Sequence, residues 1–346
     1  MIRTVLGDIS PEALGPCDYH EHLFQRSPLL AGDELCDEQL SGREAAAMAE
    51  AGIGAMVEAT ATGLGRRPAA VARIAAGAGL RIVHATGAHH SGHYGDGHWL
   101  MELGEAELAA RFTADVVEGL PSRDEPSRGA ASGGAQSGGA QSGGAQSGGA
   151  ASGGAVAGGA LALGPGGQPV RAGLVKAAAQ YWRIGPFERR VLAAAAQTAL
   201  ATGVPVMVHL DHGSASFEVL DRLAADGVQA DRVVLAHIDR NLDPGLHAEL
   251  AQAGAYLGYD GMARHRQAPD SALIDCLERA LAAGAPLDRF LLGADVARSS
   301  RFVAYGGMPG LEYLPRRFLP RLAARLGRAA TQRLMIDNPA RLLSLR

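Results

Sequence analysis

The sequence predicts an α/β chain closed into a (β/α)8 TIM barrel. Three observations carry the prediction. Short β-like runs alternate with Ala/Leu/Arg-rich stretches of helical period, which implies parallel strands returned through helices. Eight such runs fit within the 346 residues, the number a closed barrel needs. No Gly-rich phosphate-binding fingerprint follows the first run, which counts against an open, doubly wound sheet.

In chain order the strand-like runs are Leu14–His20, Gly52–Glu58, Leu80–Thr86, Ala172–Ala178, Val204–Leu210, Arg232–Ile238, Ala255–Asp260 and Phe290–Asp295. Helical period runs through Arg43–Ala51, Arg67–Ala76, Glu105–Gly119, Phe187–Thr202, Ser216–Asp226, Leu246–Gly254 and Ser271–Gly284. Several of these end in Gly, as helices commonly do. From Gly129 to Gly167 the chain is a Gly/Ala/Ser/Gln repeat with no charge and no aromatic side chain. Such a stretch has too little to bury and reads as a flexible insertion. It falls between the third helix and the fourth strand, on the N-terminal face of a single domain spanning residues 1–346.

The composition excludes several function classes. With 47% hydrophobic residues and a formal net charge of -4, the chain lacks the basic excess of a nucleic-acid binder. The longest charge-free apolar stretch, Val191–Leu210, is interrupted by Gln197, Gly203 and Pro205, unlike a membrane span. No basic segment followed by an apolar core marks a secretory leader near the N-terminus. Cys17, Cys36 and Cys276 suit neither a disulfide framework nor a thiolate metal site. The expectation is a soluble cytoplasmic protein acting on a small molecule.

Barrel chemistry is placed at the C-terminal ends of the strands. The first strand ends in Tyr19-His20-Glu21-His22, where alternate side chains share a face, so both imidazoles can enter the mouth. The fourth strand carries Lys176, the fifth ends at His209, the sixth at His237 and the eighth at Asp295. A single histidine ending an apolar strand is ordinarily a hydrogen-bonded core residue. Four of them with a carboxylate on one rim describe a divalent metal site, with zinc the usual ion.

Lys176 is the odd member, because an ammonium repels cations. It is also the only lysine among 32 basic residues, the other 31 being arginine. Arginine has replaced lysine wherever either would serve, so this one has a task that arginine cannot perform. A neutral amine that takes up carbon dioxide becomes an anionic carbamate able to bridge two metal ions. Arginine cannot form it.

The order HxH, Lys, His, His, Asp resembles the phosphotriesterase family of the amidohydrolase superfamily, its lactonase-like members included. Flanking segments are similar as well: His20-Glu-His-Leu23, Gly63-Leu-Gly-Arg66, Ala85-Thr-Gly87, Ala172-Gly-Leu-Val-Lys176, Thr202-Gly-Val-Pro-Val206 and Asn338-Pro-Ala-Arg341. The likeness covers nearly the whole chain except the repeat. It implies two divalent metal ions, zinc by preference. His20, His22 and Asp295 would hold the more buried ion and His209 and His237 the more exposed one. N6-carboxylated Lys176 and a hydroxide would bridge both. Asp295 would orient the hydroxide and relay its proton.

The implied activity is hydrolysis of a lactone or carboxylic ester, with phosphotriesterase side activity. The implied assembly is a homodimer. An amide hydrolase on the same site is a further reading. So are a metal-dependent deoxyribonuclease of a related barrel type, which should carry glutamate in place of Lys176, and a non-catalytic metal-binding barrel.

Two departures from the family pattern bear on the substrate. Glu58 stands at the second strand where aspartate is frequent, and a histidine-rich loop, with His89, His90, His93, Tyr94 and His98, follows the third strand. The substrate wall is expected to include His89, Tyr94, Tyr259, Arg264 and His265, with Arg264 as a handle for an anionic or carbonyl group. His84 and His247 read as structural, and Glu21 as facing away from the mouth.

Overall fold

Runs of Val, Leu, Ala and Met form the strands of the computed structural model, which describes residues 1–124 and 160–346. A short antiparallel hairpin, β1 (Ile2–Thr4) and β2 (Gly7–Ile9), precedes the barrel. The barrel strands are β3 (Cys17–Glu21), β4 (Ala55–Glu58), β5 (Arg81–Gly87) and β6 (Ala172–Ala179). They continue as β7 (Val206–Leu210), β8 (Val233–Ala236), β9 (Tyr256–Tyr259) and β10 (Phe290–Leu292). These eight lie in chain order in one sheet, each parallel to its neighbour. The seam is drawn together where the Asp295 N–H donates to the His20 carbonyl at 3.0 Å.

All eight predicted strands are present, several of them shorter than the runs suggested. His237 and Asp295 lie beyond β8 and β10, at left-handed φ of 66° and 45°. The backbone leaves the extended region there, which turns each side chain toward the mouth at some conformational cost.

The helices are α1 (Glu38–Glu50), α2 (Pro68–Ala78), α3 (Trp99–Glu102), α4 (Glu105–Val117) and α5 (Pro186–Thr202). They continue as α6 (Ser216–Ala225), α7 (Pro244–Gln252) and α8 (Asp270–Ala282). After β10 come α9 (Leu319–Leu326), α10 (Arg328–Gln332) and α11 (Asn338–Leu343). In α4 the buried Leu108, Phe112 and Val116 recur every four residues, so one stripe faces the sheet.

Two apolar layers result. Inside the barrel pack Tyr19, Val57, Val83, Leu174, Met207, Val234 and Leu291, floored by Ile2, Leu342 and Leu343. Between strands and helices lies the larger layer, built on residues such as Val71, Phe112, Val191 and Leu277. Strand alternation puts Lys176 on the same face as Leu174 and His209 on the same face as Met207. The floor is therefore apolar and the mouth polar.

The repeat lies largely outside the described residues. Its last part, 160–167, is described and is no loose excursion. Ala162 is buried and exchanges backbone hydrogen bonds with Leu120 and Val170, and Gly164 bonds Gln168. On the other flank, Asp124 accepts from the Gly63 N–H at 2.9 Å and from Arg66 at 2.6 Å. Gly63 belongs to the loop after β4, on the same side of the barrel as the mouth. The face expected for the repeat itself concerns residues outside the described ones.

Candidate metal centre

A cavity of about 390 Å³ opens at the C-terminal ends of the strands. His20, His22, Lys176, His209, His237 and Asp295 all line it, as do His89 and Arg264. Each of the six expected ligands is buried. A register irregularity in β3 between Asp18 and Glu21 accompanies the arrival of His20 and His22 in one space, their ring centroids 5.4 Å apart. Gly87 abuts the backbone of Lys176 so closely that any Cβ would collide with the Lys176 carbonyl. That contact sets β5 against the lysine.

Whether these residues suit a metal depends on which ring nitrogens carry lone pairs. His20 Nδ1 and His237 Nδ1 face the Asp260 carboxylate at 3.2 and 2.6 Å. A carboxylate only accepts, so both Nδ1 atoms carry hydrogen and both Nε2 atoms offer lone pairs. His22 Nδ1 lies 2.7 Å from Thr60 Oγ1, whose own hydrogen goes to the Phe24 carbonyl. His22 must therefore donate to Thr60 and keep its Nε2 lone pair. His209 is reversed: Nε2 faces the Asp211 carboxylate at 2.8 Å, which leaves Nδ1 as the lone-pair atom.

Protonation states agree. Burial, with help from the positive Lys176, holds His20 and His22 below the ordinary histidine value, and burial does the same to His209. His237 is pushed down to about 4, again chiefly by burial. Burial alone would raise Asp295, but Arg264, His237, His20 and Arg240 together hold it below the usual carboxylate range. Burial lowers Lys176 to about 8, so its neutral amine is accessible near neutral pH.

Neutral imidazoles and an ionised carboxylate are the forms a cation requires. Asp295 Oδ1 lies 3.6 Å from His22 Nε2 and 3.9 Å from His20 Nε2. Lys176 Nζ is 3.3 Å from His20 Nε2, and the rings of His209 and His237 are 4.4 Å apart. The donor set fits two adjacent divalent ions, with Lys176 beside His20 in the same cavity.

Asp260 is the residue that sequence reasoning missed. It is fully buried, takes a hydrogen bond from the Tyr19 hydroxyl and orients two imidazoles at once. An aspartate directly after an apolar strand, the same signal that marked Asp295, was available to find it. Glu58, the departure noted above, accepts from the backbone N–H groups of Leu23 and Thr60, and burial raises it to about 7. It ties down the loops beside the first two barrel strands.

Three expected substrate contacts are corrected. Tyr259 turns outward into the strand–helix layer, where its hydroxyl meets His247 Nδ1 at 2.6 Å. A residue one position from an inward one on a strand must face the other way. Tyr94 is buried beneath the loop, with its hydroxyl between the His89 N–H and the Thr62 carbonyl, each at 3.0 Å. The side chain of His265 is 63% exposed and faces Asp270 at 4.0 Å, away from the cavity. Arg264 does reach the site, and with Arg240 it holds Asp295 Oδ2 at 2.6 and 2.7 Å. Glu21 stays out of the cavity and accepts from the Val296 N–H at 3.1 Å.

Comparison with known proteins agrees with this geometry. The profile of the phosphotriesterase family matches residues 1–122 and 161–343. A phospho-furanose lactonase of Mycoplasmopsis synoviae is 25% identical over 357 residues, 99% of this chain and 91% of that one. An N-acetyltaurine hydrolase of Danio rerio is 24% identical over 391 residues, 100% of this chain and 98% of that one. The crystal structure of a lactonase from Listeria monocytogenes superposes with a TM-score of 0.81 at 27% identity, covering 100% of this chain and 99% of that chain.

Proposed function

Because the chain belongs to the phosphotriesterase family, we propose that it is a binuclear, metal-dependent hydrolase of lactones or carboxylic esters that carry an anionic substituent. The observation that carries this reading is the convergence in one buried cavity of four histidines, each with one ring nitrogen free of hydrogen, with Asp295 and Lys176. His20, His22 and Asp295 would hold one ion, His209 and His237 the other, and carboxylated Lys176 would join them. Nitrogen-rich coordination favours zinc. Two such ions, when bound, would supply an acidified water at neutral pH and a Lewis acid for the ester carbonyl.

The chain's own groups do the rest. Asp260 and Thr60 fix the ring orientations, so the site is organised before substrate arrives. Arg264 and Arg240 keep Asp295 ionised, ready to accept the water proton and pass it to the leaving oxygen. Arg264 and Arg298 line the cavity beside them. A guanidinium is suited to a phosphate or sulfonate oxygen. The names of two relatives, a phospho-furanose lactonase and an N-acetyltaurine hydrolase, each imply a substrate with such a group. The second of these also keeps amide hydrolysis as the alternative reading. No helix among the described residues is long and apolar enough to cross a membrane.

The test is turnover by metal-loaded protein on four substrates: a phosphorylated sugar lactone, the unphosphorylated lactone, an N-acylated aminosulfonate and a neutral phosphotriester. The phosphorylated lactone should be preferred over its neutral counterpart by about tenfold or more, the value of a buried charge-assisted contact. Preference for the acylated aminosulfonate would establish the amide reading instead. Protein that holds two equivalents of metal yet turns over none of the four would overturn the hydrolase reading.

A further inference from the structure

The histidine-rich loop after β5 places three more imidazoles, those of His89, His90 and His93, in the wall of the cavity. Nitrogens of His89, His90 and His209 come within 4.8 Å of one another, a spacing that would suit a further cation. Their hydrogen bonds say otherwise. His89 Nδ1 accepts from the backbone N–H of His90 at 2.9 Å, and His90 Nδ1 accepts from the backbone N–H of Gly92 at 3.2 Å. An amide N–H can only donate, so each Nδ1 must be the unprotonated nitrogen and each Nε2 must carry hydrogen. This is the reverse of His20, His22 and His237, whose Nδ1 atoms donate and whose Nε2 lone pairs face the cavity. Two kinds of histidine thus share one wall, sorted by what holds Nδ1.

The geometry points to His89 and His90 as a pair of hydrogen-bond donors that read an uncharged oxygen, a hydroxyl or ether, on the substrate. The inference rests on the hydrolase reading above. Both residues line the cavity, and with each Nδ1 taken up by a backbone N–H it is the Nε2–H that is left for a ligand. An alkyl group filling that space would strip water from these N–H groups and leave them without an acceptor, whereas an oxygen would replace the lost partner. Asp211 Oδ1 lies 3.9 Å from His90 Nε2, and its negative charge turns away an anion from this side. The cavity is therefore divided. Arg264 and Arg298 meet the anionic group, and His89 and His90 meet the neutral oxygens, which selects polyhydroxylated lactones over alkyl-chain lactones.

Two measurements test this. Long-range ¹H–¹⁵N correlation on the full chain reads the tautomer directly. His89 and His90 should show the Nε2–H pattern, and an Nδ1–H pattern at both would overturn the proposal, as would a third equivalent of zinc that disappears in His89→Leu. The second is the ratio of kcat/KM on D-ribono-1,4-lactone to that on γ-valerolactone. His89→Leu and His90→Leu should each lower the ratio about tenfold, the worth of one buried hydrogen bond. His89→Gln and His90→Gln, which keep a donor near Nε2, should recover most of it. A merely structural role would lower both activities together and leave the ratio unmoved, and that result would also overturn the proposal. If wild-type protein cleaves neither of these unphosphorylated lactones, the hydrolase reading is judged by the four substrates above and not by this pair. The donors are then judged by tautomer and by calorimetric binding of ribonate, which His90→Leu should weaken and His90→Gln should not.

Discussion

At the scale of single residues, the site is governed by what stands behind the ligands. Asp260 supplies two oxygens to two imidazoles, and asparagine could accept from only one of them. Asp260→Asn should therefore lower metal affinity about 10–100-fold, the usual effect of losing a carboxylate behind a metal-binding histidine. Competition with a chromophoric chelator would measure it, and unchanged affinity would show that Asp260 orients nothing. Lys176 offers a sharper contrast. Lys176→Arg keeps a positive charge in a buried site and should abolish binding of both ions, whereas Lys176→Glu restores a carboxylate and should retain more metal. Elemental analysis after gel filtration distinguishes the two. Equal metal in both variants, or a bare amine in density beside two bound ions, would remove the carbamate from the account.

At the scale of elements, the connection that carries the repeat divides into an anchored part and the rest. Asp124 pairs with Arg66, whose side chain is fully buried and also meets Asp115 at 3.2 Å. Removing one partner of such a buried pair costs about 3–5 kcal/mol, so Asp124→Ala should lower the unfolding midpoint by several degrees. Deleting 127–157 alone should leave the midpoint nearly unchanged, while extending the deletion through Gly167 should lower it, because Leu120 and Val170 then lose their backbone partners. Thermal melts of the three proteins decide this, and equal midpoints for both deletions would show that the Ala160–Gly167 pairing does not stabilise the fold.

The same elements show how far the sequence could be read. The barrel strands were legible because apolar runs between turn residues are a local signal, and so was the gathering of His20, His22, Lys176, His209, His237 and Asp295 at one cavity. The side chains of Tyr94 and Tyr259 were not. Which way each points depends on strand register and loop packing, which no local pattern encodes. The helices after β10 were missed because Arg-rich segments such as 316–328 carry little buried surface, with only Leu322 buried in α9.

At the scale of the whole molecule, burial makes the fold sensitive to acid. His84 belongs to β5 and does not line the cavity, and burial lowers it to about 3; His247 is lowered as well. Between the ordinary histidine value and that lowered one, the unfolded chain binds a proton that the folded chain refuses. Stability therefore falls as pH falls below about 6.5, by up to ~1.4 kcal/mol per pH unit for each such histidine. Urea unfolding of metal-stripped protein at pH 7, 6 and 5 should show the decline, and His84→Gln should make it shallower by the share of one histidine. A flat profile in the native sequence would contradict the neutral, buried state of these rings.

The seam between β3 and β10 has a last consequence. On the proposed assignment one ion's ligands would come from both sides of it, His20 from the first barrel strand, His22 from just after it and Asp295 from just beyond the last. A ribosome must therefore synthesise nearly the entire chain before this position can capture a cation at all. Filling of this position would then be a post-synthetic event, and a nascent or prematurely terminated product lacking the final strand would leave it empty at any metal concentration.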